Sequence, residues 1–170
     1  EQLTGFVRPV AAAGAVLAPS QRRIVDAVAV LWERAGPPPP IVHLRGAEGT
    51  RDIAVAVAEI LGMSTYVMPA HVIPTTAHEL ELLVRIWARE SALDDRALLI
   101  ETDDRETAKD AAREASLRHF LESVHGPVFV TGPERRTLPH RSIVTFDVAR
   151  PRPDEQRAIW SEALGPDGAR

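Results

Sequence analysis

The stretch that decides the fold is Ile41-Val-His-Leu-Arg-Gly-Ala-Glu-Gly-Thr-Arg-Asp-Ile53, in the first third of the chain. It begins with an apolar run, passes through a turn with two glycines and enters a segment rich in alanine and valine. A short apolar run bounded by turn residues favours a buried strand, and the apolar spacing after the turn favours a helix. The stretch therefore predicts a strand, a loop and a helix in succession.

The glycine turn partly matches a phosphate-binding loop. A Walker A loop has the pattern G-x-x-x-x-G-K-[ST], in which backbone N–H groups cradle the phosphates, the lysine reaches their oxygens and the hydroxyl binds Mg²⁺. Counted from Gly46 without a gap, Gly49 and Thr50 fall where loops of the form G-x-x-G-T-G-K-T have them. The next three positions, which should be glycine, lysine and a hydroxyl residue, are Arg51, Asp52 and Ile53.

A one-residue deletion in the alignment keeps a cation at the lysine position. Arg51 then stands for the lysine and Asp52 for the hydroxyl residue, but the loop is shorter. The start of a helix carries about half a positive charge and favours an anion, yet Glu48 and Asp52 already place carboxylates there. A like-charge contact at about 4 Å costs about 1 kcal/mol in bulk water and more near a protein surface. The loop therefore has the shape of a phosphate loop without its chemistry, or is a simple βα turn of an unrelated α/β protein.

Composition limits the classes of function. The chain has 170 residues, 45% of them hydrophobic and 26% charged, which suits one globular domain. The formal net charge is −4 and the arginines are scattered among acids, so direct nucleic-acid binding is not expected. There is no cysteine, which excludes disulfides and thiolate metal sites, and no apolar run is long enough to span a bilayer. We expect a cytoplasmic protein without a membrane partner.

Two common kinds of catalytic centre are also not expected. The six histidines have none of the spacings of a zinc site, so they are predicted to be structural or exposed, and no metal site is proposed. No serine has the G-x-S-x-G context of an acyl-enzyme nucleophile. The first residue, Glu1, and the polar tail of residues 165–170 have the character of cut points in a longer polypeptide.

Strands and helices alternate along the chain. The predicted strands are Ile41–Arg45, Thr65–Met68, Ala97–Ile100, Val128–Thr131 and Ser142–Phe146. Between and around them the pattern predicts a helix capped by Ser20, one from Arg51 or Asp52 to Leu61 stopped by Gly62, one opened by a Thr76–Glu79 capping box, one over roughly Glu106–Val124 and one capped by Asp154. This alternation favours an α/β protein with a parallel sheet between two helical layers, where ligands bind at the carboxyl ends of the strands.

The end of the third predicted strand resembles a Walker B motif, hhhhDE. In that motif the first acid holds the water shell of the metal and the second polarises the attacking water. Counted on Arg96–Asp104, Glu101 stands at the first position and Thr102 at the second. Asp103 and Asp104 could substitute if the strand ran two residues further, and the alternative is a charged turn after a buried strand.

The last third of the chain continues the resemblance. Thr131, at the end of the strand that starts at Val128, resembles the polar sensor 1 residue of AAA+ ATPases. Between this strand and the next lie Arg135, Arg136 and Arg141, where family members place an arginine finger that reaches a neighbouring subunit's nucleotide, and the alternative is a solvated basic turn. Residues 150–160 resemble the link into the helical lid of the same family.

Together these motifs resemble the degenerate first module of bacterial AAA+ proteins that carry two tandem ATPase modules. The resemblance implies a three-layer αβα P-loop NTPase fold with a five-stranded parallel sheet of order 5-1-4-3-2. It implies an arm at 1–19, an AAA+-like domain at 20–150 and a lid helix or linker at 151–170. The vestigial nucleotide site would comprise Gly46, Gly49, Thr50, Arg51, Asp52, Glu101, Thr102 and Thr131.

The resemblance also implies a function. We expect a module that does not hydrolyse ATP, needs no cofactor and has a structural, regulatory or assembly role, with ATPase activity elsewhere in the full-length protein. Its partners would be a C-terminal ATPase module of the same polypeptide and neighbouring subunits of a ring. Two alternatives stay open: a module that still binds ATP and Mg²⁺ through Arg51 and Thr131, and an unrelated α/β domain for protein interaction.

Overall fold

The computed structural model describes residues 5–11, 14–46, 48–102 and 110–164. The strands are β1 (Arg8–Pro9), β2 (Ile41–Arg45), β3 (Ser64–Pro69), β4 (Arg96–Glu101), β5 (Val128–Thr131) and β6 (Ile143–Asp147). The helices are α1 (Pro19–Arg34), α2 (Thr50–Ile60), α3 (Ala77–Leu93), α4 (Ala111–Ser123) and α5 (Pro153–Leu164), with a 3₁₀ turn at Ala70–Val72.

The strands form one sheet in the order β1-β3-β4-β5-β2-β6. The strand that begins at Ile41 lies between β5 and β6 and is parallel to both, which confirms its predicted place. The predicted count and the wholly parallel direction are wrong, because β1 adds a sixth strand that runs antiparallel to β3. Proline is tolerated in an edge strand, so Pro9 can end this short strand. The strand was not predicted, because two residues in an arm without a regular pattern give no strand signal.

The helices cover both faces of the sheet. On one face α3 and α4 bury Trp87 and Phe120 against the strands. On the other face α1 and α2 pack over Trp32 and Phe129, whose ring centroids are 4.6 Å apart. Each such side chain contributes about 1.5–3 kcal/mol when it is buried. The two cores fix the central strands, and thereby hold the carboxyl end of the sheet, where the candidate site lies, in place.

Two of the predicted helix starts differ. Helix α1 begins at Pro19, whose fixed φ suits the first helical position, and Ser20 therefore lies inside the helix instead of capping it. The cap residue is Ala18, whose backbone N–H donates to Gln21 Oε1 at 3.0 Å. Helix α5 likewise begins at a proline, Pro153, so Asp154 lies in its first turn and is not the cap.

The ends of α2, α3 and α4 agree with the predictions only in part. Thr76 precedes α3, but its hydroxyl donates to Glu79 and does not accept a helix N–H, so the capping box is not formed. Asp110 caps α4 by accepting from the backbone N–H groups of residues 112 and 113 at 3.0 and 3.3 Å. The predicted start of that helix at Glu106 lies outside the described residues. Gly62 ends α2 with a φ of 72°, as predicted.

Candidate functional site

The phosphate-type loop leaves the carboxyl end of β2 and enters α2 at Thr50. Its first glycine has a packing role, because a Cβ at Gly46 would overlap the carbonyl oxygen of Val148, just after β6. Its second, Gly49, has a φ of 77°, in the left-handed region that favours glycine. Both glycines are therefore explained by the backbone path and by contacts within the chain.

Helix α1 supplies a side chain that lies directly on the loop. Gln21 is buried, and a Cβ at Gly49 would overlap its Nε2 atom. The other end of the same amide accepts from the backbone N–H of Ala18 at 3.0 Å. This glutamine fills space against the loop that an exposed phosphate site would leave open. Gln21 was not predicted as a site residue, because its position in the sequence indicates only the beginning of a helix.

The cation and the acid of the candidate site bind each other. Arg51 Nε donates to Glu101 Oε1 and Arg51 Nη2 donates to Glu101 Oε2, both at 2.8 Å. This is the two-bond fork typical of an arginine–carboxylate pair. The side chains are 50% and 30% exposed, so water screens the pair and its net contribution to stability is at most about 1 kcal/mol. In the alignment with the one-residue gap, Arg51 stands at the lysine position, and Glu101, at the first acidic position of the Walker B resemblance, neutralises it.

The remaining loop positions carry no phosphate chemistry. Ile53, which stands at the hydroxyl position of the ungapped alignment, is fully buried in the core under α2. Thr50 and Asp52 are partly buried in the first turn of α2, where a carboxylate is favoured by the helix dipole. Glu48 pairs with Arg150 at 3.0 Å on the surface. The loop therefore already holds its own anions and its own counter-ions.

The place of the water-activating residue is closed in the same way. Thr102 Oγ1 donates to the backbone carbonyl of Thr131 at 2.5 Å. A Cβ at Gly132, which has a φ of 139°, would overlap that hydroxyl. Thr131 is only 8% exposed and sits opposite Glu101 in the register of β4 and β5. The structure thus brings Arg51, Glu101, Thr102 and Thr131 to the carboxyl end of the sheet, where Arg51 binds Glu101 and the Thr102 hydroxyl donates to the Thr131 carbonyl.

His43 lies buried beneath this edge, and its place was not predicted. Its Nε2 is 2.8 Å from the carbonyl oxygen of Gly132, and its Nδ1 is 3.3 Å from Thr145 Oγ1. A carbonyl can only accept, so Nε2 carries the proton and Nδ1 accepts from the threonine. Burial lowers the pKa of His43 from its ordinary value, and the nearby Arg136 and Arg45 lower it further. His43 therefore links three strands as a neutral ring, and its signal in the sequence is a polar residue inside an apolar strand.

The three candidate finger arginines are separated by the fold. Arg141 is buried and donates to the carbonyls of Leu121, Val124, Pro39 and Gly126. Burial lowers the pKa of Arg141. Arg136 is paired with Glu114 and its side chain is 9% exposed. Arg135 is exposed and has no ion pair with the described residues. The hypothesis of an arginine finger therefore depends on Arg135.

Three further predictions, on the alternative acids, a metal site and a membrane helix, can be compared only with the described residues. Asp103 and Asp104, the alternative acids after β4, lie outside the described residues. Within residues 5–11, 14–46, 48–102 and 110–164 there is no group of three or more histidine, aspartate or glutamate side chains placed to hold a metal ion. Across the same ranges, none of the helices combines the length and the apolar character needed to cross a membrane.

Two of the solved structures that this chain resembles share its fold. The RuvB Holliday junction branch migration motor of Thermotoga maritima matches with a TM-score of 0.58 and 14% identity over 85% of this chain and 49% of its own. PCH-2 of C. elegans matches with a TM-score of 0.56 and 9% identity over 93% of this chain and 52% of its own. A Rhizobiales Trip13 structure has 19% identity over 96% of this chain and 76% of its own, with a TM-score of 0.46. No protein-family model and no curated protein matches the sequence.

The class that these findings define is the AAA+ P-loop NTPase fold. The parallel order of β3, β4, β5, β2 and β6, with a loop and helix after β2, agrees with it. At identities this low the likeness concerns the fold alone. The chain spans about half the length of the RuvB and PCH-2 structures.

Proposed function

We propose that this chain is a degenerate AAA+-like module that does not hydrolyse ATP and that has a structural, regulatory or assembly role in a larger ATPase. The observation that carries the proposal is the fork between Arg51 and Glu101. In a working site the corresponding cation and acid face the phosphates and the metal. Here the same two positions face each other, and the charge that would attract a nucleotide is cancelled.

The balance of charges argues against tight ATP binding. A triphosphate would have to separate Arg51 from Glu101 and then lie near the carboxylates of Glu48, Asp52 and Glu101. Each such contact at about 4 Å costs about 1 kcal/mol even in bulk water. Binding with a dissociation constant of 1 mM corresponds to only about −4 kcal/mol. A few unfavourable contacts, with no lysine to offset them, are enough to raise the dissociation constant for ATP above 1 mM.

At the described end of β4, residues 101 and 102, the water-orienting carboxylate of the Walker B motif is also missing. Phosphoryl transfer depends on positioning and on charge stabilisation, with one residue that orients the attacking water. Thr102 stands where that carboxylate is expected, and its hydroxyl is already donated to the carbonyl of Thr131. A hydroxyl in this arrangement cannot accept the proton of a water molecule as a carboxylate does.

The role in a larger assembly follows from the resemblance. We propose residues 1–19 as an arm, 20–150 as the AAA+-like domain and 151–170 as the start of a lid helix or a linker. The partners would be a C-terminal ATPase module of the same polypeptide and neighbouring subunits of a ring in the cytoplasm. Arg135, which is exposed, is the residue that we propose could reach a neighbour's nucleotide.

Isothermal titration calorimetry of the 170-residue chain with ATP and Mg²⁺ tests the proposal. We expect no heat of binding at protein and ligand concentrations that detect a dissociation constant of about 1 mM. The matched variants are Arg51→Ala, which removes the remaining cation of the loop, and Arg135→Ala, which removes an exposed arginine outside the loop. A micromolar dissociation constant that is lost in Arg51→Ala and kept in Arg135→Ala would overturn the proposal and favour ATP binding by a modified loop.

A further inference from the structure

The segment between β6 and α5, residues 148–152, runs back over the phosphate loop. The backbone N–H of Val148 donates to the carbonyl of Arg45 at 2.7 Å, and the same residue packs against Gly46. Two residues further on, Arg150 pairs with Glu48 of the loop. The segment that leads out of the sheet is thus attached to the loop by the chain itself.

Glu155 makes the next attachment, to the start of α1. Its Oε1 accepts from the backbone N–H of Ser20 at 2.9 Å, and its Oε2 accepts from the Ser20 hydroxyl at 3.1 Å. The same Oε2 accepts from the backbone N–H of Arg152, just before α5, at 3.0 Å. The bond from Arg152 and the bonds from Ser20 lower the pKa of Glu155 from its ordinary value.

These bonds place one carboxylate on two helix starts. The first N–H groups of a helix have no partner within the helix, and the positive end of the helix dipole favours a negative charge. Ser20 is the second residue of α1, and Arg152 precedes the first residue of α5. One side chain therefore satisfies donors at the beginnings of both helices and holds them together.

Among the side chains of α5 that the structure describes, residues 153–161, none belongs to an apolar core. Both hydrophobic cores take their residues from other elements, and neither includes a described side chain of α5. Trp160, the largest side chain of the helix, is 65% exposed. Within the described part of α5, the side-chain bonds that join the helix to α1 are those of Glu155 to Ser20.

We propose that Glu155, with Ser20 and Arg152 as its donors, is a latch that fixes the direction in which α5 leaves the α/β domain. The latch is made of groups of this chain, so it sets that direction without a nucleotide. Its consequence is that a segment attached after α5 is presented at one angle whatever the nucleotide concentration. The latch does not depend on the proposed function, because its donors and acceptor are separate from Arg51 and Glu101.

Distance measurement between spin labels tests the latch. The chain has no cysteine, so Ala27→Cys on α1 and Ala158→Cys on α5, both at exposed positions, give a unique labelled pair. We expect one narrow distribution of distances for the parent chain and a broad one for Glu155→Ala. The matched control is Asp154→Ala, which removes an exposed carboxylate from the same turn and should leave the distribution narrow. Equal widths for the parent chain and Glu155→Ala would overturn the proposal.

Amide hydrogen exchange provides a second measurement that does not need labels. If Glu155 joins the two helix starts, Glu155→Ala should speed exchange at the amides of Ser20 and Arg152 together, by about tenfold for the loss of a charge-assisted bond. Exchange within α4 should not change, which shows that the domain is still folded. Loss of protection at Arg152 alone would mean that Glu155 only caps α5, and that result also overturns the latch.

The two proposals fail in different ways. A micromolar dissociation constant for ATP with an unchanged label distance would contradict the proposed non-binding function alone. A distance that is broad in the parent chain without any nucleotide would contradict the latch alone.

Discussion

The phosphate-type loop and the turn around Arg141 each contain an arginine that the sequence offers for nucleotide chemistry, but the fold treats the two arginines in opposite ways. Arg51 is half exposed and is paired with one carboxylate. Arg141 is buried and donates to four backbone carbonyls from two separate parts of the chain, residues 121–126 and Pro39. Water can replace the partner of Arg51, whereas it can replace the buried Arg141 as a donor only in part. Replacement of Arg51 should therefore cost the fold little stability, whereas replacement of Arg141 should cost much more.

The largest expected effect comes from Arg141→Ala. Removal of the guanidinium leaves four carbonyls without their donors, and each buried unsatisfied group costs about 1–3 kcal/mol. We expect the free energy of unfolding to fall by about 3 kcal/mol or more, since part of the loss is relieved by water that enters the gap. Urea denaturation, followed by circular dichroism, measures the change.

Two variants sharpen this comparison. Arg141→Lys keeps the charge but not the fork of donors, so it should lose most of the same free energy. Arg135→Ala removes an exposed arginine from the same connection and should change the denaturation midpoint very little. A denaturation midpoint for Arg141→Ala equal to that of Arg135→Ala would mean that the buried network contributes nothing.

A smaller effect is expected from His43, which is buried like Arg141 but can lose its charge. Its pKa is lowered in the folded state, whereas the unfolded imidazole titrates near 6.5. Below that pH the unfolded chain binds a proton that the folded chain does not bind, so the free energy of unfolding decreases as the pH falls from about 6.5. The decrease ends once the pH is below the folded pKa.

Replacement of the ring by an uncharged side chain isolates this term. In His43→Asn the loss of stability between about pH 6.5 and pH 5 should be smaller than in the parent chain, even if the variant is less stable at neutral pH. His140→Asn makes the same substitution at an exposed position and serves as the control. Identical slopes for His43→Asn and the parent chain would show that the buried ring does not titrate differently on folding.

The smallest effect on stability is expected from the pair at the loop. Because Arg51 and Glu101 are exposed to water, Arg51→Ala and Glu101→Gln should each change the free energy of unfolding by at most about 1 kcal/mol. In a double-mutant cycle the coupling between them should lie in the same range. A coupling as large as the effect of Arg141→Ala would mean that this pair is part of the core, and the contrast between the two regions would disappear.

The strands and helices that have a regular pattern of apolar residues could be predicted from the sequence. β2, β4 and β5 are buried on both sides, so their continuous apolar runs identify them, and the αβα layers follow from the alternation with helices. β1 was not predicted, because a strand of only two residues, one of them a proline, shows no alternation of apolar and polar residues. Asp154 was taken as a cap because it has the right residue type in the right place, while the fold uses Glu155 to reach Ser20 across the molecule.

The candidate site was predicted in part for the same reason. Motif positions bring Arg51, Glu101 and Thr131 to one edge of the sheet, since the carboxyl ends of parallel strands meet there. The sequence does not reveal that Arg51 and Glu101, fifty residues apart, bind each other. Nor does it reveal that Arg141 turns inward while Arg135 remains exposed. Such choices depend on tertiary contacts, which leave no local spacing to read.

We propose that Arg51 of the loop and Glu101 of β4 bind each other, so that the loop has no unpaired cation to attract a nucleotide. The Nε–H signal of Arg51 in a nitrogen–proton correlation spectrum tests it most directly, because that group donates to Glu101. The signal should move in Glu101→Gln and should stay unchanged when ATP and Mg²⁺ are added to about 1 mM, where occupancy requires a binding free energy of only about −4 kcal/mol. A saturable movement of this signal with ATP, towards its position in Glu101→Gln, would contradict the account.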